Sequence, residues 1–312
     1  RTLEGEPCYI KDIIIPAGTP DTQVAKHYRR LADQLQIGIS STHPNHMELL
    51  DYEHLEGAGE IHRFRYRTAP GNNLDDIISE RNLRTEEVLD ITEQIAEGLA
   101  YWHDEFSPPF KHNDVTPGNV NYDGETATLL DHDSATITVP IIDGTSFTTR
   151  VLTPGFGAPE VAAGEVSPAS DTFGLGMTLT YMITKEVPKR FFDHYNRLDR
   201  KKLQAAIRNG TTNPEIINLI ERMTQADPAQ RPSAKEVVNT IQYIRNRIAG
   251  DVELEAKVAT LPTDIREGWN IPTVEATQYI QEICDKNGPS RDEKKIEKLR
   301  ELSKNFNLVF AG

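Results

Sequence analysis

Two periods of apolar residues divide the chain. Residues 6–15, "EPCYIKDIII", form an apolar, β-branched run with Lys11 in its middle, which predicts a strand. Beyond a Pro-Gly break, Val24, Tyr28, Leu31 and Leu35 recur at steps of three and four. That spacing predicts an amphipathic helix over 21–36, capped at Asp21 or Thr22. "HMELLDYE" and "EIHRFRYR" then read as two short strands on either side of a glycine turn at 57–59. One helix among several strands makes a small, mostly β first lobe.

From residue 69 the period changes. "APGNNLDD" has the turn chemistry of a connection between lobes. Thr85, Glu86 and Glu87 open a helix whose buried stripe is Val88, Ile91, Ile95, Leu99 and Trp102. Further helices are predicted over 170–185, 200–208, 214–225 and 233–249, the last opened by a capping box from Ser233 to Glu236. Residues 251–312 are set apart by "LPTD" and "NIPT" and carry two more helical patterns. In "SRDEKKIEKLRELSKN", Ile296, Leu299 and Leu302 share one side, which suits a helix docked on the parent domain or on a partner. The expected organisation is a domain over 1–250, with lobes of about 1–67 and 74–250, and a helical extension over 251–312. There is no internal repeat or low-complexity tract.

Composition narrows the function classes. With 312 residues the chain exceeds the common single-domain size, and 37% hydrophobic with 26% charged residues suits a globular core rather than disorder. No apolar run approaches the roughly 18 residues of a membrane helix, and Arg1 to Gly5 does not read as a secretory signal. Cys8 and Cys284 stand far apart, which argues against a disulfide framework and for a reducing, cytoplasmic setting. A net charge of −14 without a basic stripe argues against nucleic acid as a partner. His43, His46, His54 and His62 are spaced by three, eight and eight, match no tight zinc pattern, and read as structural or surface residues.

The chemistry concentrates in residues 110–135, "FKHNDVTPGNVNYDGETATLLDHDSA". Asp and Asn around a Pro-Gly pair can be turn formers, His112 a buried structural histidine, and Asp131 a strand-end cap. Together with later motifs they resemble the eukaryotic-type protein kinases over about residues 6–248. His112, Asn113, Asp114 and Asn119 stand in the arrangement of the family's catalytic loop, and Asp131-His132-Asp133 in that of its Asp-Phe-Gly motif. "TPGFGAPEV" resembles the end of the activation segment, with Ala158, Pro159 and Glu160 at the Ala-Pro-Glu positions. "SPASDTFGLGMTLTYMIT" resembles the central helix whose Asp171 supports the catalytic loop, and "DPAQRPSAKEVV" supplies Arg231 as the partner of Glu160.

The resemblance implies an α+β, two-lobed protein-kinase-like fold: a small, mostly β lobe, a larger helical lobe and a C-terminal helical appendage. It implies ATP with Mg2+ or Mn2+ as cofactors and a protein as substrate. Asp114 would hold the acceptor hydroxyl, Asn119 and Asp131 the metal, and Lys11, in "YIKD", the α and β phosphates. Thr153 matches the threonine that serine/threonine members place near the catalytic Asp. His112, Glu160, Asp171 and Arg231 would be structural supports. Thr145, Ser146, Thr148 and Thr149 lie where activation segments are phosphorylated, in a loop that can equally be merely polar. Lys11 alone is also consistent with a solvent-facing lysine on an edge strand.

Several positions depart from the family pattern. No GxGxxG occurs, and since "RTLEGEPCYIKD" resembles the strands after the glycine-rich loop, the chain is expected to start late, without the front strands. The 21–36 helix has no Glu to pair with Lys11, and Asp33 is the nearest acid. Thr116 stands in place of a lysine, a loss of positive charge worth on the order of 10²–10³ in rate. Asn113 replaces the arginine that clamps a phosphorylated activation segment, and Asp133 replaces a glycine. Three readings follow: an active serine/threonine protein kinase, a pseudokinase acting as a nucleotide-binding scaffold, and a small-molecule kinase with a similar lysine-free loop. Glu160 and Arg231 argue against the third.

Overall fold

The computed structural model describes residues 2–3, 6–57, 59–131, 135–137, 153–194 and 197–259. The chain divides into two compact units, residues 1–241 and 242–312, and both lobes belong to the first. Thr145, Ser146, Thr148, Thr149, Asp133, Cys284 and the pattern around Ile296 lie outside the described residues.

In the small lobe, β1 (Thr2–Leu3), β2 (Glu6–Pro16), β3 (Leu49–Glu56) and β4 (Gly59–Arg67) form an antiparallel sheet in the order β1-β2-β4-β3. The β-branched run becomes β2, paired to β4 from Cys8↔Arg67 to Pro16↔Gly59. Helix α1 (Asp21–Ser40) runs four residues past its predicted end, and Pro20 stands at the N-cap without a side-chain hydrogen bond. Neither Asp21 nor Thr22 is the cap. Proline's fixed φ suits the entry, and the Asp21 carboxylate in the first turn complements the helix dipole. Leu31 packs with Ile15, Met47, Phe64 and Tyr66, with Val24 and Leu35 at the rim of that cluster. Each such burial contributes about 1.5–3 kcal/mol.

The large lobe contains β5 (Asn72–Asn73), α2 (Leu74–Glu80), α3 (Thr85–Asp104), β6 (Phe110–Lys111), β7 (Val120–Tyr122), β8 (Ala127–Leu129) and β9 (Thr136–Ile137). It continues with α4 (Pro168–Thr184), α5 (Arg200–Gly210) and α6 (Pro214–Met223), and α7 (Ala234–Ala259) starts in it. The connection at 69–76 is more structured than its turn chemistry predicts. Asn73 pairs with Asn121 in the β5-β7-β8 sheet and caps α2 by accepting from the Asp75 N–H at 3.1 Å. Gly71 (φ +82°) makes that bend possible, because a Cβ there would lie 2.2 Å from the Tyr122 carbonyl oxygen.

Val88, Ile91, Ile95, Leu99 and Trp102 of α3 are all buried, as their spacing predicts. Helix α4 is buried on nearly every side, which makes it the central element of the lobe. Helix α7 continues to Ala259, ten residues beyond the predicted end at 249. Strand β3 starts at Leu49 rather than at His46. His46 instead bridges to Leu129 of β8, the Met47 N–H donates to the Leu129 carbonyl at 3.1 Å, and the Leu129 N–H donates to the Asn45 carbonyl at 2.7 Å. Those bonds join the two lobes behind the site.

Candidate active site

The loop 112–119 is held from below by one buried carboxylate. Asp171, in the first turn of α4, accepts from the backbone N–H of His112 at 2.9 Å and of Asn113 at 2.6 Å, and it lies 3.0 Å from His103 Nε2. Burial pushes the Asp171 carboxyl up, but the His103 hydrogen bond, the neighbouring imidazole charges and the Asn113 N–H outweigh it. The carboxyl stays below the ordinary Asp range. Sequence motifs do not single out His103. It falls four residues after Leu99, on the apolar stripe of α3, and a polar residue on such a stripe signals a buried partner.

His112 is fully buried and stacks on Trp102 with ring centroids 5.9 Å apart. Its Nε2–H donates to the Leu130 carbonyl at 2.9 Å and its Nδ1 accepts from the Asp114 N–H at 3.3 Å. This histidine is a spacer. It fixes Asp114 relative to the strand end at Leu130. Asn113 and Asp131 adopt positive φ (67° and 56°), conformations that non-glycine residues hold only when their surroundings impose them.

Both oxygens of Asp114 are engaged. Thr153 Oγ1 donates to Oδ1 at 2.6 Å, and Asn119 Nδ2 donates to Oδ2 and to the Asp114 carbonyl, both at 2.9 Å. The amide oxygen of Asn119 is left for a further partner. Asp131 follows directly, because the Leu130 N–H donates to the Asn119 carbonyl at 2.8 Å. Asp114, Asn119 and Thr153, spread over forty positions, thus meet at one place, with the backbone leading into Asp131 bonded beside them.

Lys11 reaches the same place from the other lobe, its Nζ 2.7 Å from Asp131 Oδ1. Strand β2 pairs with β4 along its length but with β1 only at Glu6 and Pro7, so among the described residues Lys11 has a neighbouring strand on one side; its side chain is nevertheless 17% exposed and bonded to Asp131 rather than facing solvent. On α1, Asp33 is half-buried, whereas Gln34 is 1% exposed, a buried polar residue of that helix. Thr116, at the position of the missing lysine, is itself buried.

Glu160 and Arg231 form a bidentate pair at 2.6 and 2.8 Å, and Ser170 Oγ donates to Glu160 at 2.9 Å. Arg231 also donates to the carbonyls of Gln225, Ala169 and Ala226, and its guanidinium sits 4.8 Å from the Phe173 ring centroid. Burial raises the Glu160 carboxyl, and the Arg231 hydrogen bonds more than reverse that.

The donor set fits a magnesium nucleotide. Carboxylate and amide oxygens are the hard ligands Mg2+ prefers, they are gathered beside an ammonium group, and Asp131, 46% exposed, is open to solvent. A sheet lobe with one helix, set over a helical lobe and carrying this constellation at the junction, defines the two-lobed kinase class. The family profile described as Protein kinase domain matches residues 21–243, and the chain belongs to that family. It is 32% identical over 197 residues to a putative proline-rich receptor-like protein kinase of Arabidopsis thaliana, covering 60% of this chain and 25% of that protein. It is 29% identical over 189 residues to the probable serine/threonine-protein kinase zyg-1 of Caenorhabditis briggsae, covering 57% and 24%. A putative serine/threonine-protein kinase of Acanthamoeba polyphaga mimivirus is 24% identical over 222 residues, covering 65% of this chain and 75% of that protein. The matched stretch spans about a quarter of the first two relatives.

Proposed function

We propose that the chain transfers a phosphoryl group from ATP, with Mg2+ or Mn2+, to serine or threonine hydroxyls of protein substrates. The observation that carries this reading is Asp114, whose two oxygens are fixed by Thr153 and Asn119 with Asp131 alongside. A carboxylate held this way orients an acceptor hydroxyl by accepting its hydrogen bond, and takes the proton when the oxygen becomes bonded to phosphorus. Asn119 and Asp131 would hold the metal, and Lys11 would exchange Asp131 for phosphate oxygens. Bound ATP supplies the phosphoryl group and the ADP leaving group. A buried Glu160–Arg231 pair keeps the segment after Thr153 in place as a platform for a peptide. Cys8, a free buried thiol, supports the reading of a reducing, cytoplasmic setting.

The test is incubation with labelled ATP and Mg2+, alone and with generic basic proteins. Labelled phosphoserine or phosphothreonine, lost in Asp114→Asn, is the expected result. The Lys11–Asp131 contact, Thr116 in place of lysine and the absence of Glu from α1 favour a second reading, a nucleotide-binding pseudokinase. ATP that raises Tm with no transfer to any acceptor would select it.

A further inference from the structure

The four histidines at 43–62 show no ligand spacing in sequence, yet the β3–β4 hairpin brings two of them together. His54 lies directly opposite His62 in the antiparallel register, and Glu60, two residues before His62, points to the same face. The imidazoles stack with centroids 4.6 Å apart and planes 2° from parallel. Both present Nε2 to Glu60 Oε2 at 3.4 Å, and the three donor atoms lie within 4.8 Å of one another.

We propose that His54, Glu60 and His62 form a binding site for a divalent transition ion of the zinc type, outside the nucleotide cleft. A tetrahedral ion with bonds of 2.0–2.1 Å has ligand–ligand edges of about 3.3 Å, close to both nitrogen–oxygen separations. Two imidazoles and one carboxylate suit zinc better than Mg2+, and three protein ligands leave the fourth position to water. His62 is 3% exposed, and its buried Nε2, aimed into the cluster, has the 3.4 Å contact with Glu60 but no well-formed hydrogen bond among the described residues. A buried nitrogen in that state is costly unless something accepts its lone pair. The other ring nitrogen, Nδ1, is 2.8 Å from the Tyr52 hydroxyl; donation from Nδ1–H to that oxygen sets the tautomer and directs the Nε2 lone pair toward the ion. The Tyr28 hydroxyl of α1 donates to Glu60 Oε2 and orients the carboxylate from the other side. His54 and Glu60, 39% and 37% exposed, give the ion an entry path, and metal binding requires the His54 ring to turn out of the stack so that its lone pair points inward.

The test is calorimetric titration of chelator-treated full chain with Zn2+ alone, in excess Mg2+ to occupy the cleft. One equivalent should bind in the micromolar range or tighter, and Co2+ should give visible absorption bands. His54→Ala changes an exposed residue and should weaken Zn2+ at least about tenfold with Tm in the absence of metal unchanged; Tyr52→Phe should weaken it about tenfold. Asp131→Asn should leave it unaltered. Zn2+ binding equal in His54→Ala and the parent chain, binding lost in Asp131→Asn, or no binding below millimolar concentration would overturn the proposal.

Discussion

The two ends of the candidate site are built differently. Below the loop, Asp171 and Arg231 have fully buried side chains, and every N–H of the Arg231 guanidinium is used: five bonds run to Glu160 and to three carbonyls. Above it, Lys11 and Asp131 meet across the lobes at 17% and 46% exposure. The lower half is fixed by desolvated, mutually satisfied charges, and disturbing it leaves a charge buried alone. The upper half can rearrange in contact with water. A nucleotide-binding half must exchange partners when its ligand enters, so the asymmetry suits the proposed role.

Substitutions should separate the two halves by size of effect. Arg231→Ala leaves Glu160 and three carbonyls without their donors and should destabilise by about 3–5 kcal/mol in urea unfolding. Arg231→Lys should recover little of it, because an ammonium cannot reproduce the fork. Asp171→Ala frees the N–H groups of His112 and Asn113 and should cost about 2–3 kcal/mol, with loss of transfer activity exceeding the stability loss.

Between these extremes stands Glu87. Its carboxylate accepts from Arg81, from the Arg84 backbone N–H and from Arg84 Nε, so that Glu87 satisfies the N-cap N–H at the start of α3. The Arg81 hydrogen bond, opposed by burial and aided by Arg84, takes the carboxyl from 4.5 down to about 2. Because the folded pKa is the lower one, this stabilisation is complete above pH 4.5 and disappears as pH falls toward 2. Glu87→Gln should cost about 1–2 kcal/mol at neutral pH, and the gap to the parent chain should close across that window. The smallest stability effect belongs to the upper half. Lys11→Met should change unfolding by no more than about 1 kcal/mol, while removing most of the Tm rise that ATP produces.

Much of the lower half was legible in the sequence, because its residues sit in long periodic helices or in motifs of fixed spacing. The stripe of α3 and the central helix α4 follow from such patterns, and the Glu160–Arg231 pairing follows from the resemblance of its two motifs to the protein kinases. Strands β5, β6, β7 and β9 were not legible, since two or three residues carry no period and exist only through partners supplied by the fold, whereas β8 is the strand-like run that ends before Asp131. The start of β3 shifted for the same reason: His46 and Met47 pair with β8, a contact no local pattern encodes. Lys11 and Asp131 stand 120 positions apart, and only the closed sheet and loop make them neighbours. His54 and His62 show the converse, a spacing of eight that means nothing until the hairpin register places them face to face.

The central claim is that Asp114, Asn119 and Asp131 gather around one metal-bound triphosphate. Calorimetric binding of a nonhydrolysable ATP analogue, with and without Mg2+, tests it most directly when the parent chain is compared with Asp131→Asn. The account predicts binding by the parent chain that depends on Mg2+ and is at least about tenfold weaker in the variant, since a charged metal ligand is removed. Equal binding with and without the metal, or in both proteins, would contradict it.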